Sequence, residues 1–165
     1  MARGELHIYS YDTAAGLPVG LGKALQVAVE GRSVMIIRFF QAVSEKEACF
    51  LRRMEPELKV FCFERSCEEF DGLTQEKKQE RIVTIRNGMS FAKKVLTTGE
   101  CDLLILDGVS GLVERGILSV PELRTILECR EETDVILTGV RVKENVCALG
   151  DVVYKIRQIK CKLWK

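Results

Sequence analysis

The run from Leu103 to Leu106, closed by Asp107, narrows the folds open to this chain more than any other segment. Together with Cys101 and Asp102 it reads CDLLIL, a continuous apolar stretch with no alternation of wet and dry side chains. Strands of that kind are covered on both faces, as in parallel sheets flanked by helices. Val34 to Phe40 is a second strong β run, and Leu6 to Ser10, Leu58 to Phe63, Asp134 to Thr138 and Val152 to Ile159 supply further strands. Between them lie segments of helical period: Leu17 to Val29, Ser44 to Arg53, Thr74 to about Leu96, Val120 to about Arg130 and a short one within Val142 to Leu149. Ser44 with Glu47 has the spacing of a capping box, Pro121 suits a first helical turn, and Thr97-Thr98-Gly99 ends the long helix. Such alternation of strand and helix predicts an α/β fold with a mainly parallel sheet and helices on both faces. Strands around Ile8, Ile36, Phe61, Ile105 and Ile136 are expected to form that sheet.

Nothing divides the chain, so residues 1–165 are expected to form one domain, long enough to bury a core without metals or disulfides. With 25 basic and 24 acidic residues spread along it, the chain has no electrostatic footprint for nucleic acid or anionic membrane. No apolar run approaches the ~20 residues that span a bilayer. The N-terminus lacks the apolar core of a secretion signal, which makes a cytoplasmic location the expectation. The seven cysteines are odd in number and form no CxxC pair, so neither a disulfide framework nor a zinc site follows. They read as small apolar residues of a reducing compartment. His7, the single histidine, lies inside the first strand and reads as structural.

Tyr11-Asp12-Thr13-Ala14-Ala15-Gly16 joins the first strand to the first helix, where a phosphate-binding loop would lie. A working loop follows G-x-x-x-x-G-K-[ST]: glycines let backbone N–H groups close round phosphate, a lysine neutralises it, and a hydroxyl holds Mg²⁺. Here there is one glycine, no lysine, and no hydroxyl at the final positions. The downstream Gly22-Lys23 pair does not repair this, because Ala24 follows it and Lys23 falls within a helix already begun. Asp107, at the end of its apolar strand, has the position of an aspartate that holds the hydration shell of Mg²⁺. It also suits the simpler task of capping the following turn. The C-terminal alternation of Lys155, Arg157, Lys160 and Lys162 with apolar residues reads as the solvated face of an edge strand, and Trp164 as a residue packing on the sheet or a partner.

Taken in order, these segments resemble the P-loop family of ATP:corrinoid adenosyltransferases, with a RecA-like three-layer fold. Ser10 to Pro18 falls without a gap on the family's T-G-D-G-K-G-K-T-T loop, and Leu21 to Leu25, Gly31 and Val34 to Phe39 on its L-G-x-A-L, G-x-G and V-x-I-x-Q-F. Ala92 to Leu96 and Asp102 to Asp107 match A-K-x-x-L and D-L-L-x-L-D-E; Gly116 to Leu118, Ile136 to Gly139 and Ala148 to Asp151 match the later motifs, and Ile156 to Lys160 the last strand. The departures gather where chemistry would occur. Within the loop only Asp12 is retained outright, with Ser10 standing for threonine; Gly16 replaces the lysine, Leu17 the hydroxyl, and Tyr11 and Thr13 two glycines. Gly108 takes the place of the acid after Asp107, Val140 that of an arginine, and Phe70 to Leu73 is an aromatic segment without its tryptophan.

The resemblance implies ATP, Mg²⁺ and a corrinoid as ligands, and a homodimer. Its chemistry is attack by a cobalt(I) corrinoid on the ribose C5′ of ATP, with triphosphate leaving. The nucleotide would lie at Ser10, Asp12, Thr13, Ala14, Ala15 and Gly16, and the metal at Asp107. Removing one electrostatic contact to such a leaving group commonly lowers the rate by about 10²–10³. Several are absent here. The sequence therefore predicts a non-catalytic or ATP-impaired relative with a corrinoid- or partner-binding role; the alternative is an active adenosyltransferase that tolerates an unusual loop.

Overall fold

The computed structural model of the protein describes residues 2–12, 19–40, 44–63, 69–160 and 162. Six strands, β1 (Leu6–Tyr11), β2 (Val34–Arg38), β3 (Leu58–Cys62), β4 (Leu103–Asp107), β5 (Asp134–Val140) and β6 (Val152–Ile156), form one sheet in the order β3-β2-β4-β5-β1-β6. Every pairing is parallel, including all five strands expected from the sequence. The two longest apolar runs, β2 and β4, sit side by side in the interior, where both faces are covered.

Alternate side chains enter two separate cores. Leu6, Ile8, Met35, Ile37, Leu104, Leu106, Val135 and Leu137 point to one face. They meet α3 (Gln75–Thr98), α4 (Val109–Glu114), α5 (Val120–Glu128) and α6 (Glu144–Cys147) there. Tyr9, Val34, Ile36, Leu103, Ile105 and Ile136 point to the other face, under Ala24 and Val27 of α1 (Val19–Val29). The result is a helix–sheet–helix sandwich, as predicted. Fully burying one such leucine or isoleucine contributes about 1.5–3 kcal/mol, so the two cores supply the main driving force.

Local signals explain the element ends. Thr74 caps α3 by accepting from Lys77 N (3.4 Å), and Gly99 stops it in the left-handed conformation, φ 64°. A full capping box forms at α5, where Ser119 Oγ accepts from Glu122 N and the Glu122 carboxylate accepts from Ser119 N (2.7 Å). At α2 (Glu45–Arg52), Ser44 Oγ accepts from Glu47 N (3.2 Å), the first half of the expected box; the Glu47 carboxylate is engaged by Arg38 instead. β2 ends at Arg38, two residues earlier than its apolar pattern suggested, because Phe40 turns into the left-handed region at φ 64°. Helix α4 was not foreseen, and α6 is shorter than the segment from Val142 to Leu149.

Candidate functional site

The C-terminal ends of β1, β2, β4 and β5 converge beneath the start of α1, at the edge where open α/β sheets bind ligands. Strand β5 separates β1, which leads into the expected phosphate loop, from β4, which carries Asp107. Tyr11, Gly20, Leu21, Ile36, Arg38, Ile105, Asp107 and Thr138 enclose a cavity of about 40 Å³ there.

Ser10 and Asp12 both have structural partners. Ser10 is buried, and its hydroxyl accepts from Val142 N (3.0 Å), tying β1 to the chain beyond β5. The Asp12 carboxylate accepts from Gln158 N (2.9 Å) while Asp12 N donates to Ile156 O (3.1 Å), so this residue closes the end of β6. Thr13, Ala14, Ala15 and Gly16 lie outside the described residues, as do Pro18, Cys67, Cys161 and Trp164. Lys23 is a mid-helix residue of α1, as predicted, and donates to Gln26 Oε1 (3.4 Å). His7 pairs with Glu5 (2.8 Å), away from the site.

Tyr11 takes a more central part. Burial lifts its phenol above the ordinary value of 10.0; hydrogen bonding from the backbone of Gly20 opposes that, the Asp107 charge adds to it, and Val19 N–H again opposes it. The phenol thus lies close to the first N–H groups of the described part of α1, and Tyr11 and Gly20 line the same cavity. Free N–H groups at a helix N-terminus, together with its dipole, are what a phosphate uses. Here the protein's own side chain approaches them.

Asp107 is likewise engaged. Its Oδ1 accepts from the buried Thr138 hydroxyl (2.7 Å), and its Oδ2 lies 3.6 Å from Arg38 Nε. The same threonine oxygen accepts from Gly108 N (3.2 Å), fixing the turn after β4, where Gly108 adopts φ 84°. Arg38 has a side chain only 11% exposed and donates from Nη1 to Glu47 Oε1 (2.6 Å). Its Nε is buried without a hydrogen-bond partner, which holds the guanidinium's charge toward Asp107. A fixed cation beside the one candidate metal carboxylate opposes a divalent ion by simple repulsion. Among the described residues no cluster of three His, Cys, Asp or Glu side chains could hold a metal. The described residues do not fit Mg²⁺.

Arg38 was visible in the sequence as the charged end of an apolar strand, at the glutamine of V-x-I-x-Q-F, yet only the fold shows that β2 neighbours β4 and so pairs Arg38 with Asp107. Thr138 is the β5 residue opposite Asp107 in the same register. Beside the site, Phe40 stacks edge-on with Phe70 (5.7 Å between centroids), and Arg115 lies over the Phe40 ring (4.6 Å) while pairing with Asp71 (3.2 Å). Phe70 to Gly72 forms a single 3₁₀ turn. Among the described residues no helix is long and apolar enough to cross a membrane.

Comparison with characterised proteins by sequence finds no curated protein that matches the chain. The family model described as ATP:corrinoid adenosyltransferase BtuR/CobO/CobP matches residues 3–165. That match takes in every strand of the parallel sheet, from β1 through β6. The chain belongs to the ATP:corrinoid adenosyltransferase family.

Proposed function

We propose that this protein is an ATP-impaired member of its family, which keeps the fold and a corrinoid- or partner-facing surface without turning over ATP. The observation that carries the reading is the Tyr11 phenol beside the first described backbone N–H groups of α1, those of Val19 and Gly20, at the end of the expected phosphate loop. Glycine at that point would leave the N–H groups open; a tyrosine fills them. The internal pairing of Asp107 with Arg38 and Thr138 supports the same reading, since the carboxylate expected to hold the cation that would balance leaving triphosphate is already engaged.

The surface retained is the aromatic group of Phe40 and Phe70 with Arg115. Phe40 holds a left-handed backbone, a conformation that costs a non-glycine residue about 1–2 kcal/mol and is kept where the surroundings over-determine it. A flat apolar macrocycle with amide side chains is the kind of ligand such rings and a guanidinium can cover. The protein is read as a homodimer by the same family likeness.

Calorimetric titration with MgATP, alone and with a reduced corrinoid present, tests this directly. No saturable heat with MgATP is expected, while a corrinoid should still perturb the protein. Micromolar MgATP binding that Asp107→Ala abolishes would overturn the reading and restore the active transferase.

A further inference from the structure

We propose that the cleft at the N-terminal end of the sheet is a binding site for a small phosphate-class oxyanion, held between Arg3 and Arg124 above the buried Arg130. It lies at the opposite end of the strands from Tyr11 and Asp107. Leu6 opens β1, Arg130 follows α5, and Asp151 precedes β6. The cleft encloses about 230 Å³. Drug-sized ligands take about 300–1,000 Å³, so this volume suits a phosphate group or a small monoester rather than a nucleotide.

Charge is what distinguishes it. Three guanidinium groups, from Arg3, Arg124 and Arg130, face two carboxylates, from Glu128 and Asp151. Asp151 is already used: its carboxylate accepts from Leu6 N (2.8 Å) and pairs with Arg130 at 3.5 Å. Arg130 is 7% exposed, and its Nε and Nη1 donate to Gly4 O (3.0 Å) and Leu127 O (2.8 Å). This leaves Arg130 as a rigid, partly desolvated positive floor. Burial lowers its pKa from the usual value, and the nearby charge of Arg3 lowers it further.

Arg3 and Arg124 have no carboxylate within ion-pair distance among the described residues. Glu128 lies one helical turn after Arg124 on α5 and still does not pair with it. Two exposed arginines lining the cleft with a buried third leave it more positive than its two acids balance, a charge that an anion would offset. Their planar donors match the edges of a tetrahedral oxyanion, which a single point charge would not. The inference does not depend on whether the loop at the other end binds ATP.

The test is titration of the full chain with inorganic phosphate, and separately with glycerol 3-phosphate, at fixed ionic strength. Saturable one-to-one binding is expected, weakened about tenfold or more by Arg124→Ala and by Arg3→Ala, with partial recovery in Arg124→Lys. Lys94→Ala, a cation lost from the exposed face of α3, should leave binding unchanged. Arg3 and Arg124 are exposed, so both variants should keep the parent melting curve, and Arg130 is left intact. Tighter binding of the monoester assigns the cleft to phosphate esters, and equal or weaker binding assigns it to the free ion; either supports the site. Absence of saturable binding of both probes, or binding that the double variant Arg3→Ala, Arg124→Ala leaves unaltered, overturns it.

Discussion

Arg38 decides the character of the site more than any other single residue. Its guanidinium bridges Glu47 at 2.6 Å and Asp107 at 3.6 Å. Both carboxylates are more than a third exposed, which keeps this bridge weaker than the 3–5 kcal/mol of a fully buried pair. Arg38→Gln should therefore lower stability by about 1–2 kcal/mol, read as a shift in the urea midpoint without a change in slope. It should also leave Asp107 with only the Thr138 hydroxyl and so raise affinity for Mg²⁺; unchanged Mg²⁺ affinity would count against the repulsion argument. Tyr11 offers a test through pH. Its folded pKa stands above 10.0, as does that of Tyr9, where burial acts first and the charges of Tyr154 and Tyr11 add to it. A raised phenol keeps its proton in the folded state after the unfolded chain has lost it. The stability it contributes is full below pH 10 and is lost as pH rises through the folded value. Burial similarly pushes the Cys101 thiol up to about 12, which extends the same alkaline loss over pH 9 to 12. Melting temperature should fall above pH 9–10, and Tyr11→Phe should flatten part of that fall. A Tyr11→Phe profile identical to the parent's would show that burial does not raise the Tyr11 phenol.

At the scale of elements, close packing of helices on the sheet is what glycine permits. A Cβ at Gly139 of β5 would overlap Ser110 Oγ of α4 and come within 2.6 Å of Ser110 Cβ, so the two backbones meet at this residue. Gly139→Ala should destabilise by about 1–3 kcal/mol, measured by chemical denaturation, and Ser110→Gly in the same chain should recover part of that loss. Additive losses would mean that the contact is not what resists the methyl group. At Gly88, mid-way along α3, a Cβ would press on Phe39 and Phe63 at 3.0 Å, which explains a residue that weakens helices by about 1 kcal/mol relative to alanine. Among the described residues, sequence reasoning found five of the six α-helices and all six strands, because apolar period and caps are local. It missed α4, whose six residues follow Asp107-Gly108 with too few turns to display a period. It also ran β2 on to Phe40, since nothing local shows that this aromatic residue turns away to meet Phe70 and Arg115. The halved capping box at α2 has the same origin: Glu47 is drawn off by Arg38, a partner set by tertiary structure.

For the whole molecule, the topology and the chemistry are separable. The strand order brings the end of β1, the aspartate of β4 and the start of α1 to one edge of the sheet, the arrangement that a phosphate loop requires, whereas the proposed loss of ATP turns on single residues there. The family and the sheet could be read along the chain because they rest on many weak, ordered matches. What Tyr11 and Arg38 do could not, because it depends on which strands become neighbours. Repairing the chemistry on the unchanged scaffold is then the decisive experiment. Tyr11→Gly alone frees the N–H groups of Val19 and Gly20 but supplies neither lysine nor hydroxyl. It should give at most weak phosphate binding at this end, and should lower stability by about 1 kcal/mol through the lost hydrogen bonds and added chain freedom. Adding Gly16→Lys, Leu17→Thr, Thr13→Gly and Ala15→Gly restores the family's phosphate contacts, and Arg38→Gln removes the competing cation. Neither Tyr11 nor Arg38 belongs to either buried core, and the sheet should survive all six changes. MgATP should then raise the melting temperature in proportion to RT ln(1 + [L]/Kd), about 2.7 kcal/mol at a hundredfold excess over Kd, while the parent shows no rise. A repaired chain that folds, keeps its parallel-sheet circular dichroism and still ignores MgATP would place the fault beyond the loop and overturn the assignment of Tyr11 as the residue that closes it.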